Sequence, residues 1–282
     1  MSDKEEKKIK RQIIVLFDFS ASAENALKHG IQMCKVLKSG LTITFPLIKN
    51  MSNEKREEMK QQLAHIVTHL QQNTELDVQA FAPSQPLKKF YKPLYEKIEG
   101  IMIVAGIEGK NFVCGMTMQQ YLRCVRNSRI PWLAVPPSAP VNDYTHIVLP
   151  LSYSRQTKEK IAWASYFHRL NQSAIHALTP VAKDGFIKTG IYKNTEFLKK
   201  MYNSLEVYYK LIPTDKNIHH IDPYAIDYAL EHSAAPVIIL VSPRPDIFDI
   251  VLGAAERKII LNSENIPVLC ITPLDDMYVV CS

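Results

Sequence analysis

Short apolar runs alternate with amphipathic stretches along the whole chain. In the first half the runs are 12–17 (QIIVLF), 41–48 (LTITFPLI), 77–82 (DVQAFA), 101–105 (IMIVA) and 132–136 (WLAVP), with helical periodicity at about 21–38, 53–72, 86–98 and 117–128. In the second half the runs are 146–151, 174–181, 206–212, 236–241 and 268–272, with helical periodicity at about 155–170, 189–204, 222–233 and 247–263. Short continuous apolar runs separated by helices predict βαβ units around parallel sheets buried on both faces. Local punctuation adds boundaries. Ser20 and Ser154 stand where a helix N-cap is needed, Asp222-Pro223 reads as a cap followed by proline at the first helical position, and Gly40 stands where a left-handed residue ends the first helix.

The two halves are copies of one unit. Residues 12–49 return as 146–183 at an offset of 134, and NSRIPWLAVP at 127–136 returns as SENIPVLCIT at 263–272 at an offset of 136. The reading is therefore α/β, with two doubly wound five-stranded parallel-sheet domains in tandem, at 10–138 and 145–275. The stretch 137–145, PSAPVNDYT, reads as a short polar linker. Because the copies diverge, each position can be read against its counterpart.

Composition narrows the class. Hydrophobic residues make up 46% and charged residues 22% of 282, which are globular values that leave room for two cores. The opening MSDKEEKKIKR lacks the apolar stretch of a signal peptide, and no apolar run reaches the length of a membrane span. Five cysteines (Cys34, Cys114, Cys124, Cys270, Cys281), widely spaced and odd in number, suit buried free thiols in a reducing cytoplasm. The net charge of +6 sits in the first copy, where basic residues exceed acidic ones by seven over 1–140. The basic residues are scattered, without an aromatic-interleaved patch, so no nucleic-acid partner is expected.

Three motifs give the copies a resemblance to the universal stress protein family. The first strand runs into Asp18-Phe19-Ser20 and an A-x-x-A-L helix, Ala23 to Leu27. An apolar fourth strand runs into Gly106-Ile107-Glu108-Gly109, and Ile-Pro precedes an apolar fifth strand at Ile130-Pro131 and again at Ile266-Pro267. The resemblance covers about 10–273 and implies strand order 3-2-1-4-5 in each copy. It also implies an intramolecular pseudo-dimer joined through the fifth strands, which covers edges that otherwise invite association; a homodimer of the whole chain stays open.

In nucleotide-binding members of that family an aspartate after strand one contacts the adenosine, and a G-x2-G-x9-G-[S/T] loop wraps the phosphates. Glycines let backbone N–H groups approach the phosphate, and the following helix adds its positive end. Carried onto the first copy, the candidate nucleotide-binding residues are Asp18, Ser20, Gly106, Gly109, Gly115 and Thr117. Gln119 occupies the expected third-glycine position, and Phe112 and Met116 make the loop bulky. In the second copy Ser152 replaces Asp18, Ser242 and Pro245 replace Gly106 and Gly109, and Ala254 follows Gly253. Three such losses, at about 1–3 kcal/mol each, approach the whole binding energy of a micromolar ligand, about 8 kcal/mol.

Other chemistry is not specified. There is no Walker loop, G-x-G-x-x-G or G-x-S-x-G. His65 and His69 share a helix face without an intervening catalytic glutamate, and His219-His220 precede a helix; both pairs read as structural rather than metal ligands. We expect a non-catalytic cytoplasmic stress-response protein acting through a small ligand or a protein partner, with a degenerate nucleotide site. The alternative is an ATP-binding member with slow hydrolysis, ATP and Mg held by the first copy. A third reading has both clefts closed by side chains, with Phe17, Phe112 and Met116 filling the first.

Overall fold

The computed structural model describes residues 11–45, 52–81, 98–241 and 256–273. In the first half, β1 (Gln12–Leu16), α1 (Ala21–Leu37), β2 (Gly40–Thr44), α2 (Asn53–Asn73), β3 (Val78–Phe81) and β4 (Gly100–Glu108) come first. They are followed by the short strands β5 (Asn111–Phe112) and β6 (Met116–Thr117), then α3 (Met118–Arg126) and β7 (Trp132–Val135). The second half contains β8 (His146–Pro150), α4 (Thr157–Asn171), β9 (Ala174–Thr179), α5 (Gly185–Ser204), β10 (Tyr209–Pro213), α6 (Ile221–Glu231), β11 (Val237–Leu240) and β12 (Val268–Ile271). A helical stretch over 256–260 precedes β12. The helix expected over 86–98 and the strand end at 46–48 lie almost wholly outside the described residues, as does the start of the one expected over 247–263.

One sheet runs through the molecule in the order β10-β9-β8-β11-β12-β7-β4-β1-β2-β3. Each half is parallel, with sequence order 3-2-1-4-5, and the halves meet where β7 and β12 pair antiparallel. That pairing is symmetric. Leu133 faces Leu269, its own counterpart, while Trp132 faces Cys270 and Ala134 faces Val268. A local two-fold axis therefore passes between the two leucines. Burial explains the strand choice: every residue of β1, β2, β7 and β12 is buried, as helix-covered parallel strands require.

Several helix ends differ from expectation. Ser20 does cap α1, its Oγ accepting from Ala23 N at 3.2 Å. Ser154 does not cap α4. An extra turn intervenes, so Thr157 N bonds Ser154 O, and Ser154 Oγ accepts only from Gln156 N at 3.3 Å. α6 begins at Ile221, which puts Pro223 within the first turn, where a missing N–H still costs no helical bond. The left-handed residue ending α1 is Lys38 (φ 50°), not Gly40. Gly40 lies in β2, and a Cβ there would stand 2.3 Å from the Gln12 amide nitrogen. The linker is not free: Ala139 and Tyr144 are buried, and Asn25 donates to Pro136 O and Ala139 O at 3.0 and 3.3 Å. Among the described residues no helix is long and apolar enough to cross a membrane.

Candidate functional site

Doubly wound sheets present a crevice at the carboxyl ends of the strands, where the strand order reverses. In the first half that point lies between β1 and β4. Asp18, half-buried, sits there, and its oxygens are already engaged. Oδ1 accepts from Ser20 N at 3.1 Å and Ser20 Oγ at 2.6 Å, and Oδ2 accepts from Cys114 N. Ser20 Oγ also contacts Ser22 Oγ at 3.0 Å.

Cys114 reaches Asp18 because the segment after β4 folds back. β4 runs to Glu108, turns through Gly109 (φ 60°) and Lys110, and returns as β5, with Ile107 facing Phe112 and Glu108 facing Asn111. A positive φ at the first turn position is the signature of a two-residue hairpin. β5 then pairs antiparallel with β6, Asn111 facing Thr117 and Phe112 facing Met116. Between them Cys114 (φ 65°) and Gly115 (φ 64°) make a left-handed corner. We call residues 109–117 the strap.

The strap is anchored by apolar burial. Phe112 and Val113 are fully buried, Met116 nearly so, and Phe112 stacks on Tyr121 with ring centroids 3.9 Å apart. Tyr121 in turn meets Trp132 edge-on at 5.5 Å. Phe17, Phe19 and Phe45 form a second ring cluster at 5.0 and 6.1 Å beside Asp18. Phe19 (φ 64°) and Cys114 are both non-glycine residues in the left-handed region, a cost of about 1–2 kcal/mol each. Both flank the Asp18 bonds, which offset that strain. Burial, with the Asp18 charge second, pushes the Cys114 thiol well above its ordinary pKa, so it stays protonated.

The candidate nucleotide residues therefore occupy different places. Asp18, Ser20 and, through the Cys114 corner, Gly115 come together. Gly106 lies inside β4 under the first turn of α1, where a Cβ would stand 2.3 Å from Ser22 O. Its job there is close helix–strand approach. Gly109 is at the hairpin tip, with nothing within 4 Å of a Cβ position. Thr117 caps α3 in a reciprocal box, its Oγ accepting from Gln120 N at 3.3 Å and Gln120 Oε1 accepting from Thr117 N at 2.9 Å.

The second half is built differently at the equivalent point. Ser152 stands for Asp18, and Asn194 from α5 pins the loop by donating to Ser152 O and Ser154 O at 2.7 and 2.8 Å. Lys160, the counterpart of buried Ala26, is itself buried. Burial lowers its pKa and raises that of Asp222, and each charge partly counters the other's shift. The positions of Ser242, Pro243, Pro245, Gly253 and Ala254 lie outside the described residues. His65 and His69 lie on α2, and His219 and His220 precede α6. Among the described residues no group of three or more His, Cys, Asp or Glu is placed to hold a metal ion. Sequence reasoning missed the strap and the Lys160–Asp222 pair. The two-residue spacing Glu108-Gly109-Lys110-Asn111 was the signal for the first, and a lysine opposite a repeat alanine was the signal for the second.

Fold and crevice together define the class: the chain has the universal stress protein fold, twice. A universal stress protein from Archaeoglobus fulgidus DSM 4304 superposes with a TM-score of 0.70 at 12% identity, over 93% of this chain and 98% of that one. A putative universal stress protein from Pseudomonas aeruginosa UCBPP-PA14 gives 0.62 at 14% identity, over 94% of both chains. A functionally unknown protein from Pseudomonas aeruginosa PAO1 gives 0.60 at 13% identity, over 94% of this chain and 93% of that one. No family model matches the sequence, and no curated protein matches it.

Proposed function

We propose that this is a non-catalytic, cytoplasmic stress-response protein made of two universal stress protein-like domains, 10–138 and 145–275. It acts by binding a small ligand or a protein partner, and its first-half nucleotide site is degenerate. The observation that carries this is the bonding of Asp18. A carboxylate has about four acceptor positions, and here three are taken: Oδ1 accepts from Ser20 N and Ser20 Oγ within the β1–α1 loop, and Oδ2 accepts from Cys114 N of the strap. Gly106 and Thr117 are likewise committed to packing and capping rather than to a phosphate. The alternative, ATP binding with slow hydrolysis, draws on the half-exposed position of Asp18 and requires the strap to lift.

A thermal-shift titration with Mg-ATP, with AMP as control, tests the proposal. A ligand at 100 times its dissociation constant stabilises by about 2.7 kcal/mol, a shift easily read. We expect none at millimolar ATP. A clear shift that disappears in Asp18→Ala would replace this reading with the ATP-binding one.

A further inference from the structure

The local two-fold at Leu133 and Leu269 brings the first helices of the halves, α1 and α4, against each other. On one flank of that contact the molecule fills its own groove. His29 and Gln32 of α1 and Asn171 of α4 hold Asp143 and Tyr144 of the linker. Tyr144 Oη bonds His29 Nδ1, Gln32 Nε2 donates to Asp143 Oδ1 at 3.0 Å, and Asn171 Nδ2 donates to Asp143 O at 2.9 Å. Tyr144 is only 1% exposed.

Under the repeat, the counterparts of His29, Gln32 and Asn171 are Trp163, Tyr166 and Leu37. These three line an open cavity of ≈ 240 Å³ together with Arg11, Ile101 and Leu170. The counterparts of Asp143 and Tyr144 are Ile9 and Lys10, which carry neither a carboxylate nor a ring. One groove thus has an acid beside a phenol ring built into the chain. The other has ring-sized apolar walls, a guanidinium at its rim, and no such residues in the sequence to match.

We propose that this cavity binds a monocyclic aromatic carboxylate. Its volume lies below the usual range for drug-sized ligands and suits one ring. Trp163 and Tyr166, with centroids 5.4 Å apart and planes tilted by 54°, form a corner for that ring. The exposed Arg11 guanidinium offers the carboxylate a forked pair of donors. The Arg169 guanidinium lies 5.8 Å from the Tyr166 ring centre, outside the cavity lining. This site is separate from the Asp18 crevice and stands whether or not the first half binds nucleotide.

Calorimetric titration of the full chain with 4-hydroxyphenylacetate is the test. The expected result is one saturable site with a dissociation constant below about 1 mM. Arg11→Gln should weaken it roughly tenfold. The neutral amide analogue should bind about tenfold more weakly to the native chain, yet bind native and Arg11→Gln alike. Leu170→Trp, which fills the half-buried wall, should abolish binding; Trp163→Ala, which removes a wall, provides a second check. No heat up to 10-fold above about 1 mM, or equal affinity in Leu170→Trp, would overturn the proposal. Tighter binding of the blocked tripeptide Asn-Asp-Tyr than of the free acid would overturn the small-molecule assignment in favour of a protein partner.

Discussion

If Asp18 is a structural clamp, removing its carboxylate should cost stability before it costs any ligand. Asp18→Ala deletes the acceptor for three donors, Ser20 N, Ser20 Oγ and Cys114 N. A hydrogen bond to a charged group is worth about 1.5–3 kcal/mol. The three are not equal. Ser20 Oγ keeps its bond to Ala23 N, and Ser20 N lies at a half-exposed turn that water can reach. Cys114 N is the donor whose loss matters, because it sits at a left-handed corner between buried Val113 and a strained turn. The expected destabilisation is therefore about 2–4 kcal/mol, one strong bond plus a fraction of the others. Asp18→Asn discriminates further. Its carbonyl can still serve Ser20, but its amide nitrogen then faces the Cys114 N–H, donor against donor, so it should be no more stable than alanine. Equilibrium urea unfolding reads both variants. A loss below about 0.5 kcal/mol in Asp18→Ala would refute the clamp and leave the carboxylate available for a ligand.

Burial, then the charges of His146, Lys210 and His232, hold His176 down at a pKa of about 4. Its unfolded value is about 6.5, so the folded state disfavours the proton; stability is full above pH 6.5 and falls by on the order of 2–3 kcal/mol as pH drops towards 4. His176→Thr, the residue at the first-half counterpart, should flatten that limb of the pH–stability profile, and an unchanged profile would assign the loss to other groups. Gly106→Ala forces a Cβ to 2.3 Å from Ser22 O, so α1 has to shift, at a cost of about 1–3 kcal/mol in urea unfolding; a neutral outcome would mean the helix start yields freely. Burial pushes the Cys34 and Cys270 thiols up to about 12, so in the native protein both should resist a thiol-specific reagent at pH 8, and labelling at the rate of a free thiol would contradict the placement of α1 and β12.

Fold class was legible because burial on both faces writes itself into sequence as uninterrupted apolar runs, whereas strand order came from the resemblance to the universal stress protein family. Ile13 to Leu16 and Val268 to Ile271 have no polar interruption, as strands covered on both faces require. Helix ends were less legible. A cap is a competition among neighbours a few residues apart, and Lys38 took the left-handed position two residues before the glycine that looked made for it. Of the strap, only the turn at Gly109-Lys110 left a signal in the sequence. Its strands are two residues each, too short for periodicity, and its anchors Phe112 and Met116 looked like bulky intrusions into a phosphate loop. Bulk was the correct observation; that it belonged to a hairpin tied to Asp18 depended on a contact 96 residues distant.

The symmetric pairing of β7 with β12 gives the halves a shared core that does not depend on either crevice. Its centre is Leu133 against Leu269, and its flanks are Trp132, Ala134, Val268 and Cys270, all fully buried. Substitutions at the strand ends then leave the joint intact, so the crevices are free to diverge. Divergence took opposite chemical forms. The first half keeps an acid and bonds it to backbone donors, whereas the second puts a lysine where the first has an alanine and faces it with an aspartate from another helix. Burying a charge without a partner is costly, so each half answers its own charge internally. At the α1–α4 contact the two halves differ in another way. There one flank is filled by Tyr144 and, among the described residues, the other is open beside Trp163. An aromatic-walled cavity opposite a filled twin is an asymmetry among the described residues that the proposed ligand would use without breaking the hydrogen bonds that hold Tyr144.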